Sequence, residues 1–258
     1  MPGPVLIFDS GVGGLSVIEP LRRRLPDAAL AYACDNAMMP YGTRPDGWLV
    51  ERILAVCEAA VAASGCCVLV VACNTASTLA LDALRSRLAV PVIGTVPAIK
   101  PAAELSRTRH IGLLATSATV ARPYTDRLIH DFAADCRVTR VAADPLVRQA
   151  ERLLAGEEPD SRIIQEATAP LWGAPDLDVV VLGCTHFPLL SPCIAAAAPR
   201  PVSLVDSSEA IARRTAQIAV DPSPRCGQDK SYATAPDARL ARAVAGFGFA
   251  EPGLLTLD

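Results

Sequence analysis

Two nearly unbroken aliphatic runs, VLVVAC (68–73) and VVVLGC (179–184), constrain this chain more than any other feature. A strand with one wet face alternates apolar and polar residues. These runs do not alternate, so both of their faces must be covered, as in parallel sheets flanked by helices. The same kind of run recurs as PVLIFDS (4–10), LAYACD (30–35), VPVIGTV (90–96), RHIGLLA (109–115), RVTRVAAD (137–144) and VSLVDSS (202–208). Between the runs lie longer stretches with helical spacing: GLSVIEPLRRRLP, DGWLVERILAVCEAAVAAS (46–64), TASTLALDALRSRLA, YTDRLIHDFAADC, PLVRQAERLLAG, SRIIQEATAPLWGA, FPLLSPCIAAAAP and SEAIARRTAQIAV. This alternation predicts an α/β fold with mostly parallel sheets. A polar loop, DPSPRCGQDK, precedes a short strand at SYAT, a helix from Asp237 and a last strand at GLLTLD.

The pattern runs twice. Each half ends a buried strand on a cysteine followed by polar residues, ACNT in the first and GCTH in the second, and FDSG (8–11) is echoed by VDSS (205–208). The expected architecture is two pseudosymmetric lobes, each a mostly parallel sheet flanked by helices. Open α/β sheets bind ligands beyond the carboxyl ends of their strands. An active site is therefore expected in the cleft between the lobes, with Cys73 on one wall and Cys184 on the other.

Of 258 residues, 51% are hydrophobic and 20% charged, ample for a real core, and the net charge of −3 offers no basic face for nucleic acid. The N-terminal stretch lacks the charged and apolar regions of a signal peptide, and no apolar run reaches the roughly 20 residues of a membrane span. The expectation is a soluble cytoplasmic protein that binds a small molecule rather than nucleic acid or membrane. The nine cysteines are odd in number and contain no Cys-x-x-Cys pair, and there are only three histidines. This argues against a disulfide framework and against a metal site. Cys34, Cys57, Cys66, Cys67 and Cys136 read as small buried hydrophobes.

Cys73 and Cys184 suit a different task. A thiolate can remove a proton and a thiol can supply one, so a cysteine on each face of a carbon centre can invert it without a cofactor. Free cysteine has a pKa near 8.5, close enough to neutrality for general acid–base work. Asp9 is placed to orient or deprotonate the first thiol, or else to cap the helix that follows. His186 is placed to assist the second. Ser10, Asn74, Thr75 and Thr185 offer uncharged donors and acceptors, and the turn DSGVGGLS offers backbone N–H groups to an anion such as a carboxylate. Tyr41 and Gly42, in PYG, most simply form a turn.

Together, IFDSGVGGLSV, DNAMMPYG, ACNTAS, GCTHFPLL and LVDSS resemble the glutamate racemases of the aspartate/glutamate racemase superfamily, in order from about Val5 to Ala219. The resemblance implies cofactor-independent interconversion of L- and D-glutamate for peptidoglycan, by an often dimeric enzyme. It makes Cys73 and Cys184 the acid/base pair, supported by Asp9 and His186. It makes Asp9 and Ser10, Tyr41 and Gly42, Asn74 and Thr75, and Thr185 and His186 the substrate-binding pairs. The implied lobes are residues 1–97 with 206–258, and 98–205. One departure stands out. Arg148 follows Leu-Val where the family commonly has a glutamate that supports the second cysteine, and Glu151 comes nearly a turn later. Val147 and Ala150 look like the buried helix face, which turns Arg148 to solvent and leaves the task to His186 or Glu151. Rival readings are an aspartate or hydantoin racemase, or a binding protein that keeps the fold without catalysis.

Overall fold

The computed structural model describes residues 2–257. Its chain divides into two compact units, Met1–Thr95 with Leu154–Gly156 and Ser208–Asp258, and Val96–Leu153 with Glu157–Ser207. Each is considered by itself.

The first unit opens with β1 (Val5–Asp9), α1 (Ile18–Arg24), β2 (Leu30–Cys34), α2 (Asp46–Ser64), β3 (Val68–Val71), α3 (Asn74–Arg87) and β4 (Val92–Ile93). In the second unit follow α4 (Ile99–Leu105), β5 (His110–Ala115), α5 (Ser117–Val120), α6 (Pro123–Phe132), β6 (Arg137–Ala142), α7 (Pro145–Leu154), α8 (Ser161–Trp172), β7 (Val179–Leu182), α9 (Ser191–Ala197) and β8 (Ser203–Val205). The chain then returns to the first unit as α10 (Ser208–Ile218), β9 (Lys230–Ala233), α11 (Ala238–Ala245) and β10 (Gly253–Leu254).

The first sheet has the order β10-β9-β2-β1-β3-β4 and the second β6-β5-β7-β8, and every named pairing is parallel. The unbroken aliphatic runs lie where they must. Every residue of β1, β2, β3, β5 and β7 is buried, and all five are inner strands of the two sheets. The edge strand β6 is mostly exposed or half-buried, with only Val141 buried. Each fully buried Val, Leu or Ile favours the fold by about 1.5–3 kcal/mol over leaving it in water, so the apolar runs fix which strands are central.

Helix ends follow from local chemistry. Helix α2 stops at Gly65, in the left-handed conformation with φ 60° and ψ 35°, which glycine adopts without strain. Helix α11 begins on Asp237, whose carboxylate accepts from the Arg239 and Leu240 amides. The stretch GLSVIEPLRRRLP is not one helix: a 3-10 turn over Gly13–Val17 precedes α1. Helix α4, between Val96 and Arg109, has no counterpart in the sequence reading. It is only seven residues long with a proline at 101, too short for its period to register.

Candidate active site

In the first unit, the carboxyl ends of β2, β1 and β3 lie side by side. Phe8 pairs with Val71 and Asp9 with Cys34, so Asp9, Ser10 and Cys73 emerge together just past the last ladder bonds. All three are buried. Ser10 Oγ lies 3.7 Å from Cys73 Sγ and 3.4 Å from Asp9 Oδ1. A serine hydroxyl has one proton. With Cys73 as a thiol, the S–H donates to Ser10 Oγ and the hydroxyl donates to Asp9. With Cys73 as a thiolate, the hydroxyl turns to the sulfur. Cys73 is also the N-cap of α3, where the helix's partial positive charge favours an anion.

One N–H of the glycine turn is already engaged within the turn. The Gly11 amide donates to Asp9 Oδ1 at 3.0 Å, so the turn's own carboxylate takes that N–H from any incoming anion. A side chain at Gly14 would place a Cβ 2.9 Å from Asp9 Cβ and 3.2 Å from the Tyr32 ring, so glycine there is what lets the turn pack over Asp9.

Asn74 and Thr75, the first residues of α3, are buried, and Asn74 Oδ1 has no hydrogen-bond partner among the described residues. A buried acceptor left unmet is costly, which marks it for a ligand's donor. Tyr41 and Gly42 begin a short 3-10 turn. Tyr41 is 2% exposed, and its hydroxyl donates at 2.9 Å to Asp35 rather than outward. Burial, and then the Asp35 charge, push its pKa well above the ordinary tyrosine value, so it stays a donor.

The second unit repeats the register. Leu114 pairs with Leu182 as Phe8 does with Val71, and Cys184, like Cys73, stands two residues past the paired strand residue. Cys184, Thr185 and His186 are buried. His186 Nδ1 lies 3.8 Å from Cys184 Sγ, and Nε2 is 2.8 Å from Glu151 Oε1 on α7. Burial is the largest single influence on His186 and favours the neutral ring. The hydrogen bonds and negative charges of Cys184 and Glu151 together outweigh it and raise the pKa well above the ordinary histidine value. Arg148 is exposed while Val147, Gln149 and Ala150 are buried, so the cation is turned to solvent and Glu151 meets the histidine.

The two groups can therefore be described separately: Asp9, Ser10, Tyr41, Gly42, Cys73, Asn74 and Thr75 gather in the first unit, and Cys184, Thr185 and His186 in the second. Sequence reasoning held Glu151 only as an alternative and did not single out Asp35 or Arg52. Asp35, the residue immediately after a buried strand, was the available signal. Among the described residues, no cluster of histidine, cysteine or carboxylate side chains suits a metal ion.

Comparison with known proteins identifies the family. The family model Asp/Glu/Hydantoin racemase matches residues 16–215. A glutamate racemase of Sodalis glossinidius is 45% identical over 98% of this chain and 91% of its own length. One from Shewanella frigidimarina is 42% identical over 100% of this chain and 99% of its own. Among solved structures, Escherichia coli glutamate racemase in complex with L-glutamate and the activator UDP-MurNAc-ala superposes with a TM-score of 0.94 at 40% identity, covering 100% of both chains. With the family model spanning most of its length and glutamate racemases at this identity across nearly all of it, the chain belongs to the Asp/Glu/hydantoin racemase family.

Proposed function

We propose that this protein is a glutamate racemase that interconverts L- and D-glutamate without a cofactor and supplies D-glutamate for peptidoglycan. The observation that carries the reading is the 45% identity to a glutamate racemase over 98% of the chain, in a molecule where one buried strand of each sheet is followed, two residues past its last paired residue, by a cysteine. Aspartate and hydantoin racemisation are the weaker readings, because relatives 45% and 47% identical over most of the chain are glutamate racemases.

In the mechanism, Cys73 and Cys184 act on opposite faces of the substrate Cα. The thiolate of one removes the α-hydrogen and becomes a thiol, while the thiol of the other delivers its hydrogen and becomes a thiolate. The Cα is inverted, and the next turnover in the same direction requires the two protons to be reset. Asp9, through Ser10, and His186, backed by Glu151, are the groups that hold or release those protons. Asn74 Oδ1, buried and unmet, fits the substrate ammonium. Ser10, Tyr41, Gly42, Thr75, Thr185 and His186 complete the proposed substrate contacts. We assign residues 1–97 with 206–258 to one lobe and 98–205 to the other, a cytoplasmic location, and an assembly that includes a homodimer. No helix among the described residues is long and apolar enough to cross a membrane.

The test is circular dichroism of L- and D-glutamate and of both aspartates with purified enzyme and no additions. Glutamate should lose its signal from either isomer, and solvent deuterium should appear at Cα. A preference for aspartate, or activity only with an added cofactor, would overturn the reading.

A further inference from the structure

Beyond the two cysteine groups, the first unit holds a fully buried carboxylate, Asp35, that the mechanism does not use. Its four acceptor positions are all taken. Arg52 donates from Nε to Oδ2 at 2.8 Å and from Nη2 to Oδ1 at 2.7 Å. Tyr41 donates to Oδ2 at 2.9 Å and Thr234 to Oδ1 at 2.7 Å. The neighbouring Asn36 is tied to the same place: its side chain accepts from the Thr234 and Ala235 amides at 3.1 and 3.0 Å and donates to the Ala235 carbonyl at 2.9 Å. The Ala37 amide donates to Thr234 Oγ1 at 3.2 Å. At its root, the Asp35 amide bonds the Asp9 carbonyl at 3.2 Å.

A buried carboxylate–guanidinium pair is weak as a source of stability, because desolvation cancels much of its attraction. Its geometry here is informative for another reason. The carboxylate that holds the Tyr41 hydroxyl is itself held by α2 and by the segment after β9, the latter 199 residues further along the chain. The phenol is turned inward, so whatever Tyr41 and Gly42 offer a ligand comes from the backbone, and that backbone is placed by the phenol's anchor.

We propose that Asp35, Arg52 and Thr234 form a positioning unit that fixes the Tyr41–Gly42 loop for substrate, making the C-terminal segment part of the site's construction. The proposal rests on the reading that Tyr41 and Gly42 contact glutamate. Arg52 and Thr234 touch no substrate; they act through Asp35 and Tyr41.

Two measurements on the full chain test it. In racemisation assays, Arg52→Gln should raise KM for both isomers about tenfold, with kcat changed much less, because a doubly bonded charged partner is lost. Thr234→Val, which keeps the ion pair, should raise KM about threefold, since a single hydroxyl is lost. Arg52→Lys should recover part of the loss. Arg52→Gln combined with Tyr41→Phe should be less than additive, since both act through one carboxylate. In hydrogen exchange of the ligand-free protein, the amides of residues 41–44 should exchange faster in the Arg52 and Thr234 variants while those of β1 and β3 stay protected. This readout needs no substrate. Lowered melting temperature with unchanged KM and unchanged exchange at 41–44 would overturn the proposal and leave the unit purely structural. Faster exchange with unchanged KM would overturn its role in the reaction. Gly42→Ala with unaltered KM would instead sink the substrate role assigned to the loop, leaving exchange to decide whether Asp35 holds it.

Discussion

Cys73 and Cys184 occupy matching positions in two sheets of the same parallel register, yet their surroundings share almost nothing. Cys73 has a helix N-terminus and a serine that links it to a buried carboxylate. Cys184 is followed by a 3-10 turn, Phe187–Leu190, instead of an immediate α-helix, and its partner is an imidazole backed by Glu151. The residue in register with Asp9 is Ala115, so the second unit has no acid at that point and draws one from α7. Register fixes where a thiol sits, and each unit then recruits its own means of managing the thiol's proton.

The comparison breaks most sharply at the sulfurs. Cys73→Ala and Cys184→Ala should each lower kcat for glutamate by about a thousandfold, within the range for removing a general acid or base. Polarimetric assay of either variant that kept near-normal turnover would show that one thiol suffices.

Next come the supporting groups. Asp9→Asn and His186→Asn should each reduce kcat by about 10–100-fold, and unequally in the two directions, since each serves a different thiol. The ratio of kcat/KM for the two directions is fixed by the equilibrium between enantiomers, so any asymmetry in kcat must be offset in KM. If the two variants slow the same direction to the same degree, the units are not chemically distinct.

A smaller effect separates them by pH. The His186 pKa is raised in the folded protein, so its ionic contacts favour folding fully below the unfolded value, near 6.5, and that advantage is lost as pH rises through the higher folded value. Relative to His186→Asn, the wild-type protein should gain about 2 kcal/mol at the acid side of this window, the scale of a hydrogen bond to a charged group. Denaturant midpoints across the pH range would read it. A stability difference that grows toward alkaline pH would mean His186 is held neutral.

The smallest effect belongs to Arg148. Its exposure predicts that Arg148→Glu changes stability by no more than about 0.5 kcal/mol, as for surface positions generally. Directional kcat values should stay within about twofold, an energy smaller than that. A large change in one direction would place position 148 in the proton path beside Glu151.

Much of this was legible from residues alone. The two runs before Cys73 and Cys184 become buried inner strands because only a covered strand tolerates apolar residues on both faces, whereas RVTRVAAD and VSLVDSS form the partly exposed edge strands β6 and β8. The stretch 46–64 becomes α2 with those bounds, closed by a glycine that accepts left-handed geometry. Helix spacing turned Arg148 outward, since Val147 and Ala150 had to face the core. The inward turn of the Tyr41 phenol was hidden, because a Pro-Tyr-Gly turn carries no signal for the direction of its side chain.

The sequence by itself determined the local chemistry: which strands are buried, and which residues stand next to each cysteine. Those features depend on period, propensity and chain adjacency, all written within a few residues. Only the tertiary structure decided which distant groups serve them. Glu151 reaches His186 from a different helix, and Arg52 and Thr234 meet Asp35 from points 17 and 199 residues away. A buried charge must find its counter-charge in space, and no pattern along the chain records which one the fold will bring.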